Sequence, residues 1–150
     1  MDDLELKLCD IQGRLFELSY NNNVPSEAFI KTFMNSETAK GLDREFDRTQ
    51  WMGEKYLFGE VIDSAKDVLA APGETYDNET LYWTGYMYRF WHYYTGESSS
   101  EIIRQAPPEI MRSTYYSFHT LDPKLTIQNL KEIFEEKKNK RKGRQTNGTL

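Results

Sequence analysis

Between Leu81 and Tyr94 the chain places eight aromatic residues in fourteen positions: Tyr82, Trp83, Tyr86, Tyr88, Phe90, Trp91, Tyr93 and Tyr94. At about 100° per residue they fall on every side of a helix, and a helix that is apolar all round must be surrounded. Local signals bound it. Asp77 or Asn78 can cap its start, and Gly96 suits its stop. Gly85, near its middle, would let another backbone approach closely. The spacing therefore predicts a central helix over 79–94. The segment also carries Arg89 and His92 and is too short and too polar to span a bilayer.

The rest of the chain supplies helical neighbours. Leu4, Leu8, Ile11, Leu15 and Leu18 recur at spacings of 4, 3, 4 and 3, one face of a helix over 3–20 that Asn21, Asn22 and Asn23 end. Pro25 restarts the chain, and Ala28, Phe29 and Phe33 line a second helix. Ser36 caps a further turn or two through Leu42 to Phe46. A longer helix is predicted over 49–70, weakened by Gly53 and Gly59 and stopped by Pro72-Gly73. Ser98 with Glu101 forms a capping box ahead of Ile102 and Ile103. Pro107-Pro108 opens another helix, and Asp122-Pro123 opens the last, whose face is Ile127, Leu130, Ile133 and Phe134. No stretch alternates as a strand does. The expected fold is all-α: one compact domain of six or seven helices over residues 1–136, with a basic, disordered tail over 137–150.

Charge divides at the same point. The chain has a net charge of −5, yet six basic residues lie between Lys137 and Arg144 and no acidic residue follows Glu136. Residues 1–136 therefore carry −11. Such a body disfavours nucleic acid, whose binding rests on phosphate contacts, and favours a basic protein partner. Only the tail suits nucleic acid. The opening residues lack the basic and apolar regions of an export signal, so the expected compartment is the cytoplasm, with no membrane contact. One cysteine and two histidines make neither a disulfide framework nor a usual zinc site, and no cofactor is implied.

Three constellations carry candidate chemistry. Arg89 and His92, at i and i+3, form either an anion or nucleotide clamp among tyrosines, or an arginine paired with a carboxylate or ring beside a hydrogen-bonded histidine. Arg112 and His119, with six residues between them, loosely match the arginine–spacer–histidine pattern of the HEPN ribonucleases. There such a pair serves as phosphate stabiliser and general acid–base. Eight of the ten tyrosines lie between Tyr76 and Tyr116, as a core with wet hydroxyls, a partner surface, or both. Cys9 has no neighbour that would activate it, and Ser98-Ser99-Ser100 is better explained by capping than by nucleophilic chemistry.

The run from Leu81 to Ser99, with Phe118-His119-Thr120-Leu121-Asp122-Pro123, Phe33-Met34-Asn35-Ser36 and Gln50-Trp51, resembles a family of small Firmicutes proteins encoded beside ADP-ribosyltransferase-like toxins. The resemblance covers roughly residues 8–137 and leaves out the basic segment. It implies an antitoxin or accessory role in a toxin–antitoxin system, and it carries over no catalytic residue. The expectation is a bacterial, non-enzymatic protein that binds and restrains a neighbouring-gene toxin with a basic surface. The contact residues expected are Tyr82, Tyr86, Arg89, His92 and Tyr93. The alternatives are a metal-independent ribonuclease using Arg112 and His119, a mobile-element inhibitor of host defence that mimics nucleic acid, and a small-ligand sensor built on the aromatic helix.

Overall fold

α1 (Asp3–Asn21) starts at a capping box, in which Asp2 accepts from the Glu5 amide and Glu5 accepts from the Asp2 amide. Its apolar face crosses α6 (Asn78–Thr95), the predicted central helix. The crossing is close because each helix offers a glycine to the other. A Cβ on Gly85 would lie 2.5 Å from the Gln12 carbonyl oxygen, and one on Gly13 would lie 2.7 Å from the Tyr82 ring. Phe16 of α1 then meets Phe29, Phe33 and Tyr88 edge to face, at centroid distances of 5.6, 5.4 and 6.3 Å.

In this computed structural model, which describes residues 1–148 and side chains to 143, the other helices wrap that pair. They are α2 (Ser26–Met34), α3 (Glu37–Asp43), α4 (Glu54–Ser64), α5 (Lys66–Leu69), α7 (Ser99–Gln105), α8 (Pro108–Phe118) and α9 (Pro123–Gly148). Nine α-helices and no strand occur among the described residues, two or three helices more than the six or seven expected. α6 packs against α1, α7, α8 and α9, and Leu81, Met87, Tyr88 and Trp91 on it are buried. Tyr88 sends its hydroxyl to the Ala106 carbonyl at 2.6 Å, which is how a phenol is accommodated in an apolar centre.

The single helix predicted over 49–70 is in fact three elements: a 3-10 turn (Arg48–Trp51), α4 and α5. Gly53 adopts φ 77°, a conformation L side chains rarely hold, and so stops the turn and starts α4. Ala65, at φ −139°, separates α4 from α5. α3 ends at Asp43, so Phe46 lies beyond it. At the other end α9 does not stop at Glu136, where the tail was expected to begin. Residues 137–148 continue it, since lysine and arginine are good helix formers and no proline intervenes. Residues 149 and 150 lie outside the described residues. No helix among the described residues is long and apolar enough to cross a membrane.

Candidate functional site

Arg89 is completely buried. Its Nε donates to Gln12 Oε1 at 2.8 Å, one terminal nitrogen to Asp43 Oδ1 at 2.7 Å and the other to Ser99 Oγ at 3.3 Å. Gln12 in turn donates to the Gly85 carbonyl at 2.9 Å, so one side chain bridges both helices of the crossing. Asp43 also accepts from the Ser99 amide at 2.9 Å and hydroxyl at 2.8 Å, at the start of α7. A buried guanidinium is tolerated where its donors meet acceptors in this way. Arg89 therefore presents no surface to a partner. Of the two readings of Arg89, the pairing with a carboxylate is the one observed.

The five expected contact residues separate into three places. Arg89 is core. Tyr82 and Tyr86 belong to an i, i+4 ladder along α6 with Phe90 and Tyr94, at successive centroid distances of 6.2, 6.4 and 6.5 Å. Tyr82 is half-buried and gives its hydroxyl to Asp10 at 2.5 Å. Burial, then that hydrogen bond, push its phenol above the usual range. Tyr86 is also half-buried, and burial raises its phenol too.

His92 and Tyr93 line a cleft of about 460 Å³ between the start of α1, the segment after α3 and the last turn of α6. His92 Nδ1 lies 2.6 Å from the Glu97 carbonyl, which puts its proton on that nitrogen, and 3.7 Å from Asp43 Oδ1. The Tyr93 hydroxyl is buried with no hydrogen-bond partner among the described residues, a costly arrangement. Burial pushes it up to about 12. Asp2, Glu5, Asp43 and Glu45 supply carboxylates to the cleft, against Arg44 as its one basic residue besides the histidine. Arg44 is itself held by Asp47 at 3.0 Å.

Phe46, at the same cleft, is 89% exposed, and Trp51 five residues on is 73% exposed. Neither was expected as a contact residue. Spacing alone places both in helices, yet Phe46 stands inside Asp43-Arg44-Glu45-Phe46-Asp47-Arg48, where no neighbour shares its apolar character. That isolation among charges was the signal for an exposed ring.

Arg112 and His119 are tied to different elements. Arg112 donates to Glu74 at 2.6 Å and lies 4.6 Å over the Tyr76 ring. His119 stacks on Tyr115 at 4.4 Å and bonds the Tyr115 carbonyl through Nδ1 at 2.8 Å. Among the described residues no hydrogen bond or ion pair joins the two. Cys9 is buried, and burial pushes its thiol up to about 12, far from a thiolate. No group of three or more His, Cys, Asp or Glu is placed to hold a metal ion among the described residues.

A third polar cluster ties the last helix to the body. Glu97 accepts from Lys131 at 2.5 Å, from Trp91 at 3.1 Å and from Gln105. Burial works to raise this carboxyl, but the three hydrogen bonds and the lysine charge outweigh it and hold it down at about 2. No family model matches the chain, and neither does any curated protein or solved structure.

Proposed function

We propose that this protein is a non-enzymatic antitoxin or accessory protein that binds and restrains a partner toxin with a basic surface, of the ADP-ribosyltransferase-like kind. The observation that carries this reading is the carboxylate-lined cleft with Phe46 standing almost fully exposed beside it. Carboxylates steer a basic surface into contact, and a protruding aromatic ring supplies the apolar area that holds it. The −11 carried by residues 1–136 extends the same field over the body. The contact set shifts accordingly. His92, Tyr93 and Phe46, which line the cleft, form its centre, Tyr86 and Tyr82 lie two and three turns back along α6, and Arg89 holds the scaffold behind it.

Surface plasmon resonance against the product of the adjacent gene tests this. Association is expected to slow as salt rises, because the Debye length is already only about 8 Å at physiological ionic strength. Phe46→Ala is expected to speed dissociation instead, by about 10-fold or more. If neither adjacent gene product binds, with both proteins folded, the antitoxin reading fails.

A further inference from the structure

The far half of α9 builds a surface of opposite sign. A groove of about 370 Å³ lies between the α7–α8 corner and α9. Ile110, Ile133 and Phe134 give it an apolar lining, and all three are only half-buried. Arg104, Lys137, Lys138 and Arg141 surround that lining, with Glu109 as the one carboxylate. Lys137, Lys138 and Arg141 are exposed and hold no ion pair among the described residues. The spacing on α9 explains the layout. Residues 133, 134, 137, 138 and 141 share one face, so the apolar stripe that buries Ile127 and Leu130 turns cationic as the helix leaves the body.

The groove asks for an apolar anchor flanked by carboxylates. A long polyanion fits it poorly. Duplex DNA carries a charge every ~1.7 Å, and one lying along α9 would also run past a body of the same sign. The chain itself displays the complementary group. Phe46 is 89% exposed, Glu45 beside it is exposed, and Asp2 and Glu5 lie across the same cleft. We propose that the basic groove of one molecule takes the Phe46 end of a second copy, so that the protein associates head to tail. The two surfaces are different, so the contact is heterologous and grows as a chain or closes as a ring. One ring and a few charges make a small interface, below about 1,200 Å², hence weak and reversible. A toxin docked at Phe46 and a second copy would compete. The association itself needs no toxin, so its test is independent of the antitoxin reading.

Sedimentation velocity on the full-length protein reads this directly. At low salt the weight-average mass is expected to rise with concentration, and to fall back to the monomer at about 500 mM salt, where the Debye length is only several ångströms. Phe46→Ser and the double variant Lys137→Glu/Lys138→Glu each remove one half of the contact, and each is expected to stay monomeric. All three residues involved are exposed, so thermal melts should match the parent. Each variant keeps the surface the other has lost. Mixing them is therefore expected to restore a 1:1 complex that goes no further. A parent mass that stays monomeric up to about 1 mM at low salt overturns the proposal. So does a mixture of the two variants that stays monomeric while the parent associates. If the parent is monomeric and Lys137→Glu/Lys138→Glu abolishes binding of a short duplex DNA or an acidic peptide, that ligand occupies the groove and the second copy does not.

Discussion

The molecule carries two arginine–histidine pairs on helices and uses them differently. Arg89 and His92 sit on α6, where the arginine is sealed among Gln12, Asp43 and Ser99. Arg112 sits on α8 and His119 caps its C-terminal end, and among the described residues the arginine pairs with one exposed carboxylate, Glu74. The residue types are the same and the spacings are both helical. What separates them is the dielectric around each guanidinium. In the interior every donor must be met, so Arg89 fixes the relative positions of α1, α3, α6 and α7. At the surface water competes for every donor, so Arg112 fixes little.

The largest expected effect tests the buried pair. Arg89→Leu leaves Asp43, a largely enclosed carboxylate, without its counter-ion. It should cost about 3–5 kcal/mol, or roughly 10–15 °C of melting midpoint by circular dichroism. A loss of the same size in Arg112→Ala would erase the distinction. Next comes the crossing that Arg89 braces. Gly85→Ala pushes a methyl group against backbone atoms of Gln12, which cannot swing aside as a side-chain tip can. Denaturant titration is expected to show a loss of about 1–3 kcal/mol with an unchanged slope.

A third test sharpens the comparison by pH. Glu97 titrates at about 2 in the fold against an ordinary value of 4.5. The folded state therefore binds fewer protons than the unfolded state between these values. The stability this gives is fully present above pH 4.5 and is lost as pH falls toward 2. Glu97→Gln should flatten that part of the pH–stability profile. A profile unchanged by the substitution would show that Lys131 does not hold the carboxylate in solution. The smallest effects belong to the surface. Arg112→Ala and His119→Ala are each expected to move the melting midpoint by no more than about 3 °C. They should leave unchanged whatever the purified protein does to RNA. Loss of an RNA-cleaving activity in either variant, with the midpoint held, would make the surface pair catalytic. Truncation after Glu136 should barely alter stability, because the removed segment is nearly all polar and buries little area.

Features settled by near neighbours were legible in the sequence. The caps at Asp77 and Ser98, the stop at Gly96 and the close approach at Gly85 all appear where expected, since each depends on a few adjacent residues or on the absence of a side chain. The destination of Arg89 was not legible. Its partners lie 77, 46 and 10 residues away, and no local pattern distinguishes Asp43 from the other acidic residues. The 44–53 segment departs from its helical spacing for another reason. Trp51, Met52 and Tyr56 fall at helical spacing with α4, and the positive φ of Gly53 that breaks the run leaves no trace in periodicity. The cleft shared these difficulties, being assembled from the starts and ends of three elements.

The Gln12–Gly85 contact spans 73 residues, and this bears on how the chain is made. α1 leaves the ribosome before α6, the helix that covers its apolar face, which is synthesised only after α2 to α5. At about 5–20 residues per second, that face waits roughly 4–15 s for its partner. Throughout that interval Leu8, Leu15 and Phe16, all buried in the finished fold, lack their main cover. A nascent chain stalled before Leu81 should therefore bind ribosome-associated holdase chaperones through Asp3–Asn21, and release them once α6 has emerged.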